Sequence, residues 1–194
     1  NTTATDAAQV VESSGGAVKD IVVEQYIPSK RAFRLLASPV NSTGTIHANL
    51  QEGQNNVGTG TSDNENDISG YGTHITGSTT GDNGFDASVS GSPSMFLFNQ
   101  TDQSWEAVPN TDTDQLEVGK AYRLMVRGNR SVDLSSSSPI ASATTLRVQG
   151  DLKIGPYSPT LATGANEFSF IANPYQAIVD YDLLTKSGLT DYVW

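Results

Sequence analysis

The sequence predicts an all-β protein, an antiparallel β-sandwich of the jelly-roll or Ig-like type. Eight or nine short runs of apolar and β-branched residues are separated by turn signals, which is typical of sandwiches. No window holds apolar residues at i, i+3, i+4 and i+7 over three turns, so we expect no long amphipathic helix. Because no connection is long and helical enough for a parallel crossover, the strands are expected to pair antiparallel.

The composition limits the partners that such a protein can have. The 194 residues include 21 acidic and 11 basic side chains, which gives a formal net charge of −10. DNA and anionic membranes would repel that surface, so nucleic acid is not an expected partner. Cysteine is absent, which excludes disulfides and thiolate chemistry. No stretch approaches the roughly 18 apolar residues of a membrane span, so no membrane insertion is expected.

The chain divides into a tail and a module. Residues 1–18 are predicted to be a flexible N-terminal tail or linker, because small and polar residues dominate there. Residues 19–194 form the β-sandwich module, with one short helical turn expected at 180–187. The strands predicted from alternation and apolar runs are, in chain order, 19–26, 31–39, 71–76, 94–98, 104–108, 121–127, 130–134, 145–154 and 167–172.

A long irregular loop is predicted over residues 51–91, since Gly, Asn, Asp, Ser and Thr dominate that stretch. So long a loop in a compact domain is unusual and often functional. The alternative is solvated filler that wraps over a sheet edge and protects it.

The clearest hairpin joins 94–98 to 104–108, because residues 99–103 have the composition of a turn. A comparable apolar triplet, Tyr192-Val193-Trp194, ends the sequence without a partner strand after it. We therefore expect the parent chain to continue past Trp194. The alternative is a terminus whose aromatic rings dock into the core or into a neighbouring subunit.

Two segments echo each other in sequence. Residues 33–40, Phe-Arg-Leu-Leu-Ala-Ser-Pro-Val, match residues 168–175, Phe-Ser-Phe-Ile-Ala-Asn-Pro-Tyr, in their pattern of aromatic, apolar and small residues. A strand that ends in Ser-Pro or Asn-Pro has a physical cause, because proline ends the hydrogen-bond ladder. The echo favours two related half-domains, although such strand endings also arise by chance.

Several segments resemble a module of large surface and secreted proteins of Bacteroidetes, especially flavobacteria. The segments that carry the resemblance, in the same order, are 23–36, 70–77, 83–86, 93–96, 122–128 and 172–176. The resemblance implies an exported, cell-surface, adhesin-like and non-catalytic part of a long chain. Such chains are sent out by the type IX secretion system through a separate C-terminal sorting domain, and no such domain is recognisable here.

Oxygen ligands alternate at Asp63, Glu65 and Asp67 within the long loop. Calcium is a hard cation that takes six to eight oxygen ligands, so this spacing suggests a calcium site. The match to an EF-hand loop fails, since Ile68 stands where glycine is needed and His74 where the closing glutamate belongs. The alternative is an acidic loop that is simply solvated.

Trp105 and Tyr71 are candidate sugar contacts, because the C–H faces of sugar rings stack on aromatic rings. Tyr157 and Tyr175 are candidates for the same platform. The alternative is that these rings pack in the core or on a sheet face.

We expect no catalytic residues and no enzymatic activity. The sequence holds no nucleophile-elbow G-x-S-x-G motif, and His47 and His74 stand in different segments. Paired carboxylates for glycoside hydrolysis are defined by their separation in space, which the sequence does not give.

Three functions remain open at this point. The first is a structural or adhesive module of an extracellular surface protein. The second is a filament subunit, in which residues 1–30 complete a neighbouring subunit's sheet by strand addition. The third is a carbohydrate-binding module. A strand lying in another chain's sheet favours the filament, whereas an exposed aromatic row on one sheet face favours sugar binding.

Overall fold

The computed structural model describes residues 17–54, 56, 68–136 and 138–189. One short helix, α1 (Ile46–Leu50), follows an N-cap at Thr45, whose side chain accepts a hydrogen bond from the Ala48 amide. Two single-turn 3-10 helices cover Asp82–Gly84 and Tyr181–Leu183. The strands are β1 (Ile21–Ile27), β2 (Ala32–Leu36), β3 (Val40–Ser42), β4 (Thr76–Ser78), β5 (Asp86–Ala87), β6 (Met95–Asn99), β7 (Ser104–Ala107), β8 (Tyr122–Val126) and β9 (Thr144–Leu152).

Seven of these nine strands form two antiparallel sheets. The three-stranded sheet has the order β1-β9-β3, and the four-stranded sheet has the order β2-β8-β6-β7. The prediction of an all-β, antiparallel fold is therefore confirmed. One short exception is the β4–β5 pair, which is parallel. No helix in the described ranges is long and apolar enough to cross a membrane.

Both sheets contribute to one hydrophobic core, as the two sheets of a sandwich do. Ile27 and Leu146 come from the three-stranded sheet, and Met95, Leu124 and Val126 from the four-stranded sheet. The alternation in β8 explains the inner face, since every second side chain is buried there. One face of each sheet therefore supplies apolar side chains to this shared core.

The strand predicted at 71–76 begins only at Thr76, and two other predicted strands are wrong. Residues 130–134 form turns, because the Asn129 and Asp133 side chains accept hydrogen bonds from the Ser131 and Ser135 amides and replace the ladder. Residues 167–172 are not a strand either. The echoing segments consequently take different structures, since 33–40 contains β2 and 168–175 has no strand. The described residues do not show two repeated half-domains.

The described part of the predicted loop, residues 68–91, is partly internal. It holds β4, β5 and a 3-10 turn, and His74, Thr76 and Asp86 are almost fully buried. Most of this stretch is irregular, as the sequence predicted, and its buried part is built from hydrogen-bonded polar side chains. Such side chains give no apolar signal in the sequence.

Candidate functional site

The outer face of the four-stranded sheet is apolar. The strand register pairs Phe98 with Trp105, Phe96 with Arg123, and Arg123 with Leu35. Residues that lie directly opposite on neighbouring strands share a face, and every second residue along a strand joins them. We call this surface the aromatic face, and it consists of Phe33, Leu35, Phe96, Phe98, Trp105, Ala107, Arg123 and Met125.

Part of the aromatic face is open to water. Phe33 is 40% and Leu35 63% exposed, whereas Phe96, Phe98 and Trp105 are half-buried. The outer face of an antiparallel sheet is normally polar, since nothing has to cover it. A contiguous exposed apolar patch is often an interaction site.

Arg123 lies in the middle of these rings. Its guanidinium carbon is 4.0 Å from the centroid of Phe33, 5.6 Å from Trp105 and 5.9 Å from Phe96. These distances fall in the range of cation–π attraction. Among the described residues, no carboxylate lies within 4.0 Å of the Arg123 guanidinium. The positive charge is therefore held by aromatic rings rather than by an acid.

A C-terminal segment packs on one end of the aromatic face. The Phe170 ring centroid lies 4.6 Å from Phe98 and 4.8 Å from Trp105. The Gln103 amide holds this segment, since its Nε2 donates to the Phe168 carbonyl at 3.1 Å and its Oε1 accepts from the Phe168 amide at 2.7 Å. The side chain of Gln103 thus substitutes for a paired strand, which explains why residues 167–172 need no ladder.

A cleft of about 420 Å³ opens between the edge strands β1 and β2. Val23 and Leu146 line it from the three-stranded sheet, and Leu35 lines it from the four-stranded sheet. Phe170 and Tyr175 border it from the C-terminal segment. Leu35 and Phe170 therefore join the cleft to the aromatic face.

The predicted sugar contacts lie apart. Trp105 belongs to the aromatic face, but Tyr71 bridges to Thr145 in β9, on the other sheet, with the Arg147 guanidinium 4.3 Å from its ring centroid. Tyr157 packs against Gly119, and the Tyr175 hydroxyl donates to the Gly155 carbonyl at 2.8 Å. Trp105 contacts phenylalanine rings and Arg123, and none of these three tyrosines.

Sequence reasoning missed the other rings of the aromatic face and Arg123. A signal for them was present, because Phe96 and Phe98 alternate with Met95 and Leu97 in β6. Apolar residues on both faces of a predicted strand indicate that the outer face also needs contacts. Phe170 had no such signal, since its placement depends on Gln103 far away in the chain.

The candidate calcium ligands Asp63, Glu65 and Asp67 lie outside the described residues. Within the described ranges, no group of three or more His, Asp or Glu side chains could hold a metal ion. The nearby Asp82 carboxylate accepts hydrogen bonds from the Ser78 and Thr80 hydroxyls, which is a local turn contact.

A second cluster, which is fully internal, surrounds Asp86. Arg130 donates from Nη2 to Oδ1 at 2.6 Å and from Nη1 to Oδ2 at 2.9 Å. The Gln51 side chain and the Ile75 amide each donate to Oδ2 at 3.0 Å, and Nδ1 of His74 lies 3.3 Å from the same oxygen. The carboxylate thus fastens α1, the 68–91 region and the turn after β8 to one another.

Two opposing effects act on the pKa of the Asp86 carboxyl. Burial disfavours the charged form and so raises the pKa, whereas the neighbouring His74 and the hydrogen bonds and positive charge of Arg130 lower it. The lowering prevails, because Arg130 is a permanent cation bound through two hydrogen bonds. Asp86 is therefore an ionised structural group, and its burial keeps it out of reach of a ligand.

Comparison with known proteins yields no relative from which a role can be transferred. No family model matches the chain, and neither the curated proteins nor the solved structures include a match.

Proposed function

We propose that this chain is a non-catalytic, adhesive module of an extracellular bacterial surface protein and that it makes contact through the aromatic face. The observation that carries this proposal is the group of rings around Arg123 on the outer side of the four-stranded sheet. Large aromatic side chains and arginine are the residues that dominate binding energy at protein surfaces.

A purely structural spacer accounts less well for this surface. A spacer needs a solvated outer face, yet Phe33 and Leu35 leave much of their apolar area in water. Removing apolar area from water is favourable by roughly 25 cal/mol per Å², from which the entropy cost of association is subtracted. The exposed rings are thus a source of binding free energy that a spacer does not use.

Carbohydrate binding is the second candidate, and the aromatic row favours it. Sugar rings expose flat C–H faces that stack on aromatic rings, and the aromatic face offers four rings on neighbouring strands. The filament alternative has less support, since β1 pairs along its whole length with β9 of the same chain. The extracellular location rests on the resemblance to surface modules of Bacteroidetes.

Binding of the purified protein to immobilised surfaces tests the proposal. The surfaces are cellulose, chitin, xylan, laminarin, polygalacturonate and uncoated polystyrene. A Phe33→Ser/Leu35→Ser variant should bind at least tenfold more weakly, because it removes exposed apolar contacts without opening the core. The matched control, Val22→Ser/Val89→Ser, changes two exposed residues away from the aromatic face and should bind like the wild type.

Two results contradict the proposal. Unchanged binding of the Phe33→Ser/Leu35→Ser variant would assign the contact surface elsewhere. If the wild-type protein bound none of these surfaces, the adhesive role would be wrong and the spacer would be preferred.

A further inference from the structure

We infer, building on the proposed function, that the aromatic face takes a carboxylated polysaccharide, a polymer that contains uronic acids. In this assignment Arg123 binds the carboxylate of one sugar unit. The rings of Phe33, Phe96 and Trp105 stack against its C–H face and those of its neighbours.

The hydrogen-bonding state of Arg123 supports a negatively charged ligand. Its side chain makes no hydrogen bond to any described residue, and its nitrogens stay accessible to solvent. The contacts with the rings are electrostatic and use none of its N–H groups as hydrogen-bond donors to a described residue. A guanidinium presents these donors in a fork that matches the two oxygens of a carboxylate.

The charge balance on the aromatic face also favours an anion. The net charge of −10 repels a polyanion at long range, so the attraction has to be local. Arg123 is the one charged residue among the eight that form the face. A neutral ligand that covered the face would strip water from Arg123 and leave its charge unpaired, which is unfavourable. A carboxylate placed over Arg123 removes that penalty.

Uronic acid polymers fit better than acidic proteins because each unit carries both required groups. One pyranose unit presents a carboxylate and an apolar C–H face within a single rigid ring. An acidic peptide supplies carboxylates on flexible side chains and offers no flat face to the rings. Phe170 packs on one end of the aromatic face, against Phe98 and Trp105. Most of the rest of the face lies on β2, β8 and β6, so adjacent units of a polymer can contact it together.

Titration with three forms of one polymer tests the inference. The probes are polygalacturonate, its fully methyl-esterified form and its carboxyl-reduced form, used at matched chain length. The wild-type protein should bind polygalacturonate at least tenfold more tightly than either neutral form. Arg123→Gln should remove this preference, and Arg123→Lys should keep part of it, since lysine retains the charge but not the fork. Lys30→Gln controls for the loss of one exposed positive charge and should leave the preference unchanged.

The outcomes separate this inference from the proposed function. Equal binding of the three polymers by the wild-type protein overturns the carboxylate assignment, even if Arg123→Gln fails to fold. If the Phe33→Ser/Leu35→Ser variant then still binds all three polymers more weakly, the proposed adhesive role stands, although the carboxylate assignment does not. Equally tight binding of poly-glutamate would replace the polysaccharide with an acidic protein partner and contradict the inference.

Discussion

Asp86 and Arg130 form a bidentate ion pair in the interior, and each side chain is about 1% exposed. The two residues are 44 positions apart and join the 68–91 region to the turn after β8. Because the pair is shielded from water and further hydrogen-bonded, its stability depends on both partners being present.

Asp86→Asn is expected to lower the free energy of unfolding by about 3–5 kcal/mol, because it leaves Arg130 buried without a counter-charge. Urea unfolding followed by circular dichroism measures this change. Asp182→Asn, at an exposed acid, is the control and should change stability by less than about 0.5 kcal/mol. An Asp86→Asn variant as stable as the control would show that the ion pair contributes nothing net.

Protonation of the Asp86 carboxylate should also destabilise the protein at acidic pH. The pKa of Asp86 in the folded protein lies below its ordinary value. The contribution of its carboxylate to the free energy of unfolding is therefore complete above the pKa of the unfolded chain, about 3.9. It is lost as the pH falls through the folded pKa, since the unfolded chain then binds the proton more readily. Between pH 5 and pH 2.5 the wild-type protein should lose more stability than Asp86→Asn. Parallel curves for the two proteins would contradict this.

Ionisation of the Tyr122 hydroxyl should destabilise the protein at alkaline pH. Burial raises the pKa of its hydroxyl to about 12, while the hydroxyl accepts a hydrogen bond from the Glu117 amide at 2.9 Å. Its stabilising effect is therefore present below pH 10 and is lost as the pH rises towards 12, because the unfolded chain ionises first. Absorbance titration should show one of the seven tyrosines ionising last. That late step should be missing in Tyr122→Phe, and its persistence there would assign it to another ring.

Gln103→Ala should release the segment that carries Phe170 and so expose Trp105. The variant loses both hydrogen bonds to Phe168, at a cost of about 1 kcal/mol. In a Trp194→Phe background, tryptophan emission then reports on Trp105 alone and should shift to longer wavelength. Gln25→Ala, at an exposed glutamine in β1, should leave the emission unchanged. The same emission maximum in both variants would contradict the role given to Gln103.

The sequence predicted individual strands and the hairpin correctly where the pattern of apolar residues and the composition of the adjoining turn indicated the same boundaries. The β6–β7 hairpin is confirmed, because two short apolar runs flank a polar turn, and the structure adds its register, with Phe98 opposite Trp105. Strand β8 is confirmed for the same reason, since Tyr122, Leu124 and Val126 are buried on one face. The candidate site was found only in part, because Trp105 alone was singled out from the aromatic face.

The sequence by itself determined the fold class, the antiparallel pairing and the hairpin, since these depend on patterns within a few neighbouring residues. The tertiary structure alone decided that residues 167–172 would not join a sheet, because the partner of Phe168 is the side chain of Gln103. It also decided that Asp86 would be internal, since the burial of a carboxylate depends on Arg130 reaching it. Finally, it left the rings around Arg123 partly exposed, because the face of an apolar strand that stays in contact with water depends on what packs against its other face.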